Sequence, residues 1–406
     1  MKKKNFLFTI MAFIMFFVIF FCVGEILFRL FGKPENPLNR VTQKNPSYLF
    51  KPNVPVEVAS SKPEEFDYFA QINSFGYRGK DFNAEKTPGT VRLFFIGDSF
   101  TFGVGAKDDE TVPYLAGEAL KTKAPSVEVI NAGIGSTSPI NHYVNLRNIH
   151  MTYHPDFVVL LFDMTDLWDD WNTEKMAIRD QSGDIVRFNT LFNNGKRDWW
   201  KTCAYYSRFC RWIDNKIVRS FNKITELGLA EYLKASLQGK RAKAALMELK
   251  NHRSDDDVIM KYDAVLMMRG LERKILIDKH WPRTAMYLTK IKEFLDQNHI
   301  PLMIVTYPHG THTGKNDWPE GRKTWGFEPG KLYTDTYGFD IVEQYCREHN
   351  IPVVRVFDDY LKEEKRYFYD WDGHMTPQGY KVLADGISKN NDFNQILQKL
   401  LSQNRK

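Results

Sequence analysis

The 406-residue sequence lacks the residue patterns of several common classes of protein. It has only four cysteines, and no pair of Cys or His doublets has the spacing of a zinc site. Lys and Arg number 56 against 50 Asp and Glu, which gives a net charge of +6, and no basic stripe is interleaved with aromatic residues. We therefore expect no metal site, and the sequence argues against nucleic acid as a partner.

Signatures of nucleotide sites are also missing. Gly103 and Gly105 lack the third glycine of a dinucleotide site, and no phosphate-loop lysine follows them. No glycine stands two residues after Ser99, so the Gly-x-Ser-x-Gly nucleophile elbow is absent as well. We expect no cofactor.

The longest apolar run lies at the N-terminus. Residues 6–24 carry no charge and would form a helix about 28 Å long, which is enough to span a bilayer. Three lysines precede this run, and the positive-inside rule places that end in the cytoplasm. We predict a transmembrane anchor over residues 1–32 and an extracytoplasmic location for the rest. A cleaved signal peptide is the alternative, although its apolar core would be shorter and would end in a small-residue site.

Two further segments depart from a globular pattern. Residues 33–90 are rich in proline and predict an extracytoplasmic connector, whose last part, residues 71–79, packs on the domain. Residues 168–284 crowd aromatic side chains into their first part and basic helical patterns, such as residues 234–250, into their second. They predict a helical insertion. Its aromatic residues fit a satellite core or a sugar-stacking surface, and its basic helices fit a solvated face or a membrane contact.

Cysteine use leaves one question open. Cys203 and Cys210 could form a disulfide in an oxidising compartment. They are seven residues apart on a predicted helix, which separates them by two turns and is too far for a disulfide unless the helix breaks.

The rest of the chain alternates short apolar runs with helical patterns. Runs of this length, bounded by Pro, Gly or Asp, are typical of strands that are buried on both faces of a parallel sheet. The runs are residues 91–96, 127–130, 157–162, 301–307 and 351–357. We predict an α/β fold, a three-layer α/β/α sandwich with a central parallel sheet, formed by residues 91–167 and 285–406. Active residues of such sheets follow the carboxyl ends of strands, and four polar residues stand there: Ser99, Ser136, Thr165 and His309.

Four separated segments carry the candidate catalytic residues. They are Gly97-Asp98-Ser99 with Gly103, the stretch Asn131-Ala132-Gly133-Ile134-Gly135-Ser136, the stretch Asp163-Met164-Thr165-Asp166, and Asp372-Gly373-His374. In this order they resemble the SGNH (GDSL-type) hydrolase family, over residues 70–167 and 284–390. The resemblance implies a serine esterase or acyltransferase on an α/β/α fold.

The resemblance also implies roles for these residues. Ser99 would attack an acyl carbonyl, and His374 would act first as a base and then as an acid. Asp372 would orient the imidazole. Many family members place this aspartate three residues before the histidine, where this chain has Trp371, and Asp370 is the alternative.

The implied oxyanion hole departs from the family pattern. The family uses the amide of the nucleophilic serine, a glycine amide and an asparagine side chain. Here Ser99 keeps its amide, Ser136 with Gly135 beside it takes the glycine position, and Thr165 replaces the asparagine. Losing one oxyanion donor typically lowers the rate by about 10² to 10³. The sequence is therefore consistent with a slow enzyme and with an inactive one.

Further polar residues stand near the predicted mouth. His309 and His312 are candidates for substrate contact. Four aspartates fit loop and helix-capping roles better than a cation site: Asp163, Asp166, Asp169 and Asp170.

Together these features predict a membrane-anchored serine acyl-ester hydrolase or acyltransferase in the periplasm or at the cell surface. Its expected substrates are short acyl esters, chiefly acetyl, carried by an envelope or exported polysaccharide. Hydrolysis and transfer share the acyl-enzyme, so the sequence does not separate them. The alternative is a catalytically decayed subunit that binds glycan or acts as a scaffold, which the substitution at Thr165 and the aromatic insertion motivate.

Overall fold

The computed structural model describes most of the chain and divides it into two compact units. The described residues are 13, 15–16, 18–27, 30, 49–60, 62, 64–121, 124, 126–188, 192–193, 196–197, 207–213, 267–362 and 365–404. One unit combines residues 1–35 with 189–243, and the larger unit combines residues 36–188 with 244–406.

The strands and helices follow one another along the chain with fixed bounds. The strands are β1 (Val56–Ala59), β2 (Asp67–Ala70), β3 (Val91–Gly97), β4 (Val127–Gly133), β5 (Phe157–Phe162), β6 (Ala177–Arg179), β7 (Ile185–Phe188), β8 (Phe192–Asn193), β9 (Lys196–Arg197), β10 (Leu302–Thr306) and β11 (Val353–Arg355). The helices are α1 (Ser99–Phe102), α2 (Val112–Lys121), α3 (Pro139–Asn148), α4 (Asp166–Glu174), α5 (Arg208–Ile213), α6 (Lys274–Gln297), α7 (Gly310–Thr313), α8 (Pro319–Trp325), α9 (Tyr337–Glu348), α10 (Asp358–Leu361), α11 (Pro377–Lys389) and α12 (Asn391–Gln403). Short 3₁₀ turns cover Asp108–Glu110, His150–Tyr153 and Met267–Arg273.

A five-stranded parallel sheet forms the centre of the larger unit. Its strand order is β11-β10-β5-β3-β4, and every pairing between neighbours is parallel. All residues of β3, β5 and β10 are buried. Strands of this kind need cover on both faces, which explains their uninterrupted apolar runs. The predicted α/β fold with a central parallel sheet is confirmed.

Helices flank this sheet in two groups. In one group, α2 packs on β4 and on α11, and α11 contacts α12. In the other, α6 packs on α3, α4 and α9. The connections place the carboxyl ends of β3, β4, β5 and β10 at one edge of the sheet, because parallel strands all end at the same edge.

Within the segment predicted as a connector, the described residues between 49 and 70 contain a strand pair that packs on the sheet domain. β1 and β2 form an antiparallel hairpin, and the alternate residues Val56 and Val58 are buried in a small core with Phe102 of α1 and Ile134. Arg78 also donates to the carbonyl oxygens of three residues that follow Ser99 in the chain: Phe102, Gly103 and Ala106. The sequence did not predict this strand pair, because the segment is rich in proline and each strand has only four positions over which its residues can alternate.

The predicted insertion, residues 168–284, is only partly helical where the structure describes it. β6 and β7 form an antiparallel hairpin whose turn contains Gly183 at φ +84°. α6 begins at Lys274, eleven residues before the predicted return to the core, and packs against it. The rings of Trp168 and Trp171 lie 4.7 Å apart at an interplanar angle of 37°, and both contact the main core rather than a separate satellite core. Several aromatic residues and the basic stretch lie outside the described residues: Trp199, Trp200, Tyr205, Tyr206 and residues 234–250.

The described part of the smaller unit contains helical residues 18–27 and α5. The ring of Phe209 packs edge-on against Phe20 at 5.6 Å, and Ser207 Oγ donates a hydrogen bond of 2.6 Å to Glu25. Within the described ranges, no helix combines the length and the apolar character needed to cross a bilayer. Residues 1–12, where the predicted anchor begins, lie outside those ranges.

The cysteines differ in their state. Cys210 is disulfide-bonded, whereas Cys22 and Cys346 are free. Cys203, the predicted candidate partner, lies outside the described residues. Burial raises the pKa of the Cys346 thiol to about 12, so this cysteine is not a reactive thiolate.

Candidate active site

Ser99 begins the short helix α1 directly after the central strand β3. The turn between them needs glycine at position 97, because its φ is +154° and a β-carbon there would lie 2.1 Å from Thr101 Oγ1. Asp98 caps the helix, since its Oδ1 accepts the N–H of Phe100 at 2.9 Å. Ser99 is left half-buried at the carboxyl end of the sheet.

His374 lies within hydrogen-bond distance of this serine. Its Nε2 is 2.8 Å from Ser99 Oγ, and its Nδ1 is 2.5 Å from Asp372 Oδ1. The same aspartate oxygen also accepts the backbone N–H of His374 at 3.0 Å. The imidazole ring packs on Phe100 with a centroid distance of 5.1 Å. The structure thus brings together the three residues that the sequence named as nucleophile, base and orienting acid.

The alternative acid, Asp370, does not approach the imidazole. Its carboxylate forms an ion pair with Arg366, four residues earlier, at the exposed side of the loop. Burial alone would raise the pKa of Asp372, but the charge of His374 and the hydrogen bonds from it outweigh burial and leave that pKa below its usual value. Asp372 is therefore the ionised acceptor for Nδ1–H, which leaves Nε2 free to accept the Ser99 proton.

The loop after β4 borders Ser99 on another side. A β-carbon at Gly135 would lie 3.8 Å from Ser99 Cβ, so this glycine is next to the nucleophile. Ser136 is exposed and adopts φ +60°, the left-handed conformation that favours glycine. Ser136 therefore keeps the backbone conformation expected of the glycine that it replaces.

Thr165 lies three residues after β5, at the N-cap of α4, and its hydroxyl donates to a neighbouring carboxyl group. Its Oγ1 donates to Asp163 Oδ2, and its backbone N–H donates to the same oxygen at 3.3 Å. A threonine hydroxyl has one proton. In this orientation that proton is directed to Asp163, which differs from the predicted role of Thr165 as an oxyanion donor.

Three buried carboxyl groups lie behind the nucleophile. Burial is the largest cause that raises the pKa values of Asp98, Asp163 and Asp166, and repulsion from Asp163 raises those of Asp98 and Asp166 further. Burial raises the pKa of the nearby Tyr307 hydroxyl, and repulsion from all three carboxyl groups raises it further. This hydroxyl has no hydrogen-bond partner among the described residues. Within the described ranges, no three His, Cys, Asp or Glu side chains are arranged to hold a metal ion.

The two histidines predicted at the mouth are buried instead. His309 is 6% exposed, and its ring meets the ring of Trp318 edge-on at 4.4 Å. Its Nε2 would lie 3.7 Å from a β-carbon at Gly373, so it supports the His374 loop from behind. Burial holds its pKa well below the usual value and lowers that of His312 to about 4. These positions do not fit the predicted substrate contact.

Sequence reasoning missed one charged residue at the site. Glu65, between β1 and β2, accepts the backbone N–H groups of Trp371 and Asp372. Nothing local marks this residue, because it is a single glutamate in a segment interpreted as a connector and it contacts a loop some 300 residues away.

Comparisons with known proteins return structures only. No protein-family model matches the sequence, and no curated protein matches it. Among the solved structures that do match, the acetyl xylan esterase AlAXEase is 14% identical, with 73% of this chain and 98% of that chain covered and a TM-score of 0.35. A catalytic mutant of the acetylxylan esterase Axe2 from Geobacillus stearothermophilus is 13% identical, with 74% and 94% covered and a TM-score of 0.34. A two-domain esterase active on acetylated mannans is 14% identical, with 79% and 50% covered and a TM-score of 0.32. Likeness at this level establishes neither a family nor an activity.

Proposed function

We propose that the protein is a serine acyl-ester hydrolase or acyltransferase. The observation that carries this proposal is the series of hydrogen bonds from Ser99 Oγ through His374 to Asp372, with lengths of 2.8 and 2.5 Å. A nucleophile that contacts a base, which is in turn oriented by a third group, is the arrangement that activates a serine.

The chemistry follows from this arrangement. His374 Nε2 removes the hydroxyl proton while Ser99 Oγ attacks the acyl carbon, and the imidazolium that forms is stabilised by Asp372. The imidazolium then protonates the leaving alcohol as the C–O bond of the ester breaks, which leaves an acyl-enzyme. Water or a second alcohol resolves the acyl-enzyme with the same base, and the choice between them separates hydrolysis from transfer.

Backbone amides form the oxyanion hole in this proposal. We assign them to the amides of Ser99 and Ser136, with Gly135 adjoining the nucleophile as its 3.8 Å approach supports. An amide donor does not depend on its side chain, so serine can replace glycine at position 136 if the left-handed conformation is kept. The hydroxyl of Thr165 would have to turn away from Asp163 before it could donate to the oxyanion.

The substrate class and location extend the same proposal. We assign the enzyme to short acyl esters, chiefly acetyl, of an envelope or exported polysaccharide, with residues 1–32 as a membrane anchor and the catalytic part in the periplasm or at the cell surface. The uncharged run over residues 6–24 supports the anchor. The disulfide at Cys210 supports an oxidising compartment.

One observation favours a second candidate function. Because the Thr165 hydroxyl donates to Asp163, the oxyanion hole would lack a side-chain donor, and the protein would be a glycan-binding or scaffolding subunit that keeps the fold without the activity. This candidate predicts glycan binding that persists in Ser99→Ala and no covalent labelling of Ser99.

The decisive experiment measures hydrolysis of p-nitrophenyl acetate by the full-length protein in detergent. Ser99→Ala is expected to lower the rate by at least about 10³-fold, because it removes the nucleophile, and Ser388→Ala on α11 serves as the matched control with an unchanged rate. A fluorophosphonate should label the wild type at Ser99. Equal rates for the wild type and Ser99→Ala, together with an unlabelled serine, would exclude the enzyme and leave the second candidate.

A further inference from the structure

The loop between β1 and β2 holds the loop that carries Asp372. Glu65 Oε1 accepts the N–H of Trp371 at 2.7 Å, and Oε2 accepts the N–H of Asp372 at 3.1 Å. One carboxylate therefore binds two successive amides of the chain. Because one side-chain group accepts from both amides, this contact fixes the orientation of both peptide units.

The carboxylate of Glu65 is itself held in place. Ser60 Oγ donates to Oε2 at 2.7 Å, and the Glu65 amide donates to the carbonyl oxygen of Lys62 at 2.9 Å. The Lys62 ammonium group also lies 4.8 Å from the centroid of the Trp371 ring, within the range of a cation–π contact. The side chain of Glu65 therefore has a further donor besides the two amides, and its backbone is part of a turn.

The peptide units that Glu65 binds determine where the Asp372 side chain lies. Residues 369–374 have no regular secondary structure and are closed by a bridge between Phe368 and Met375. Asp372 Oδ1 must reach His374 at both its backbone N–H and its Nδ1. Misplacing a catalytic group by about 1 Å can lower a rate by about 10²-fold.

The same hairpin contacts the segment that follows Ser99. Tyr68 on β2 donates its hydroxyl to the Gly103 carbonyl at 3.1 Å and accepts the Gly105 N–H at 3.0 Å. Tyr369, at the start of the His374 loop, donates to the Gly105 carbonyl at 2.6 Å. The hairpin therefore touches the chain on both sides of the contact between Ser99 and His374.

We propose that Glu65 is a positioning residue for the reaction assigned to Ser99. It acts through the amides of Trp371 and Asp372, which it orients so that the Asp372 carboxylate meets the imidazole. The inference rests on the proposed function, since the reaction that it serves is the one proposed above.

The test compares full-length Glu65→Ala and Glu65→Gln with Glu64→Ala, a matched change at the exposed neighbouring residue. With kcat expressed per Ser99 titrated by fluorophosphonate, Glu65→Ala is expected to lower kcat by about 10²-fold while KM stays within about twofold. Glu65→Gln is expected to fall in between, because its single oxygen accepts from one amide while its NH₂ faces the other. Glu64→Ala should match the wild type. A kcat per titrated site that is unchanged in Glu65→Ala overturns the proposal, because a merely structural role would lower only the number of active sites.

A crystal structure of each variant gives a readout that needs no activity. The distance from His374 Nδ1 to Asp372 Oδ1 is expected to exceed about 3.5 Å in Glu65→Ala, beyond a hydrogen bond. If the wild type fails to hydrolyse esters, the proposed function falls, and this distance alone decides on Glu65: a longer distance supports positioning, and an unchanged one refutes it. If Glu65→Ala does not fold, Glu65→Gln provides both readouts.

Discussion

The carboxyl groups on the two sides of Ser99 have pKa values shifted in opposite directions. On the side of the His374 loop, the Asp372 carboxyl keeps a lowered pKa, because His374 outweighs the effect of burial. On the side of the strand ends, burial raises the pKa values of Asp98, Asp163 and Asp166. One side thus favours an ionised acid beside a base, and the other favours neutral acids beside one another.

This difference teaches where the chain meets the requirements of acyl transfer. The loop side presents a nucleophile, a base and an orienting acid, and Glu65 holds the loop from outside. The strand side provides backbone amides, but the hydroxyl of Thr165, the predicted side-chain donor, is turned toward Asp163. We therefore expect the sensitivity of the rate to mutation to be unequal across the two sides.

The largest effect is expected for Asp372→Asn. The amide would favour the wrong tautomer of His374 while keeping the shape of the loop, and such a change typically costs about 10⁴-fold in kcat. The measurement is kcat for p-nitrophenyl acetate across pH 6 to 9. Asp370→Asn is the matched control two residues earlier, and its rate is expected to stay within about twofold because its carboxylate pairs with Arg366 instead. A large loss in Asp370→Asn with none in Asp372→Asn would reverse the assignment.

A smaller effect is expected on the other side of the site. Thr165→Val removes a hydroxyl whose proton is directed to Asp163, so kcat should fall by less than about tenfold, well short of the roughly 10² to 10³ that an oxyanion donor contributes. Thr165→Asn adds an amide group that can donate to the oxyanion, and we expect it to raise kcat. Both variants are compared by kcat at saturating ester. A loss of 10²-fold or more in Thr165→Val would mean that the hydroxyl turns to the oxyanion during the reaction and that the two sides contribute alike.

The sequence predicts the strands and the catalytic residues of this site better than the contacts between remote segments that position them. The apolar run at residues 157–162 becomes β5 with the same bounds, because a strand buried on both faces needs an uninterrupted apolar sequence. The order of the motifs predicts Ser99 and His374 as catalytic partners, and Ser99 Oγ lies 2.8 Å from His374 Nε2. The role of Glu65 had no local signal, since its partners are remote in the chain.

Other differences from the sequence have physical causes of the same kind. His309 follows a strand as Ser99 does, but the rings of Trp318 and Phe368 cover it, at centroid distances of 4.4 and 5.0 Å. A strand-end position predicts which edge of the sheet a residue occupies. It does not predict whether neighbouring loops leave that residue open to a substrate, because loop packing depends on contacts between remote segments.

The smallest effect on activity, and a clear one on stability, is expected for Asp170→Asn. This fully buried residue on α4 lies on the strand side, where its Oδ1 accepts the N–H of Ile140 at the start of α3 at 2.8 Å. Burial is the largest cause that raises the pKa of Asp170, to about 7. In the unfolded chain the carboxyl ionises near its ordinary value of about 4. Between about pH 4 and pH 7 the unfolded chain therefore releases a proton that the folded protein retains, and the free energy of unfolding falls as pH rises through this window.

Asparagine keeps the acceptor for Ile140 and removes this ionisation. The free energy of unfolding of Asp170→Asn relative to the wild type should therefore be greater at pH 8 than at pH 5, by on the order of 2 kcal/mol, when measured by urea unfolding at both pH values. Asp358→Asn, at an exposed position on α10, should show the same difference from the wild type at both. If Asp170→Asn behaves like this control, the carboxyl is ionised in the folded protein at pH 5. The strand side would then hold a charged acid as the loop side does, and the contrast between the two sides would be restricted to the three carboxyl groups directly behind Ser99.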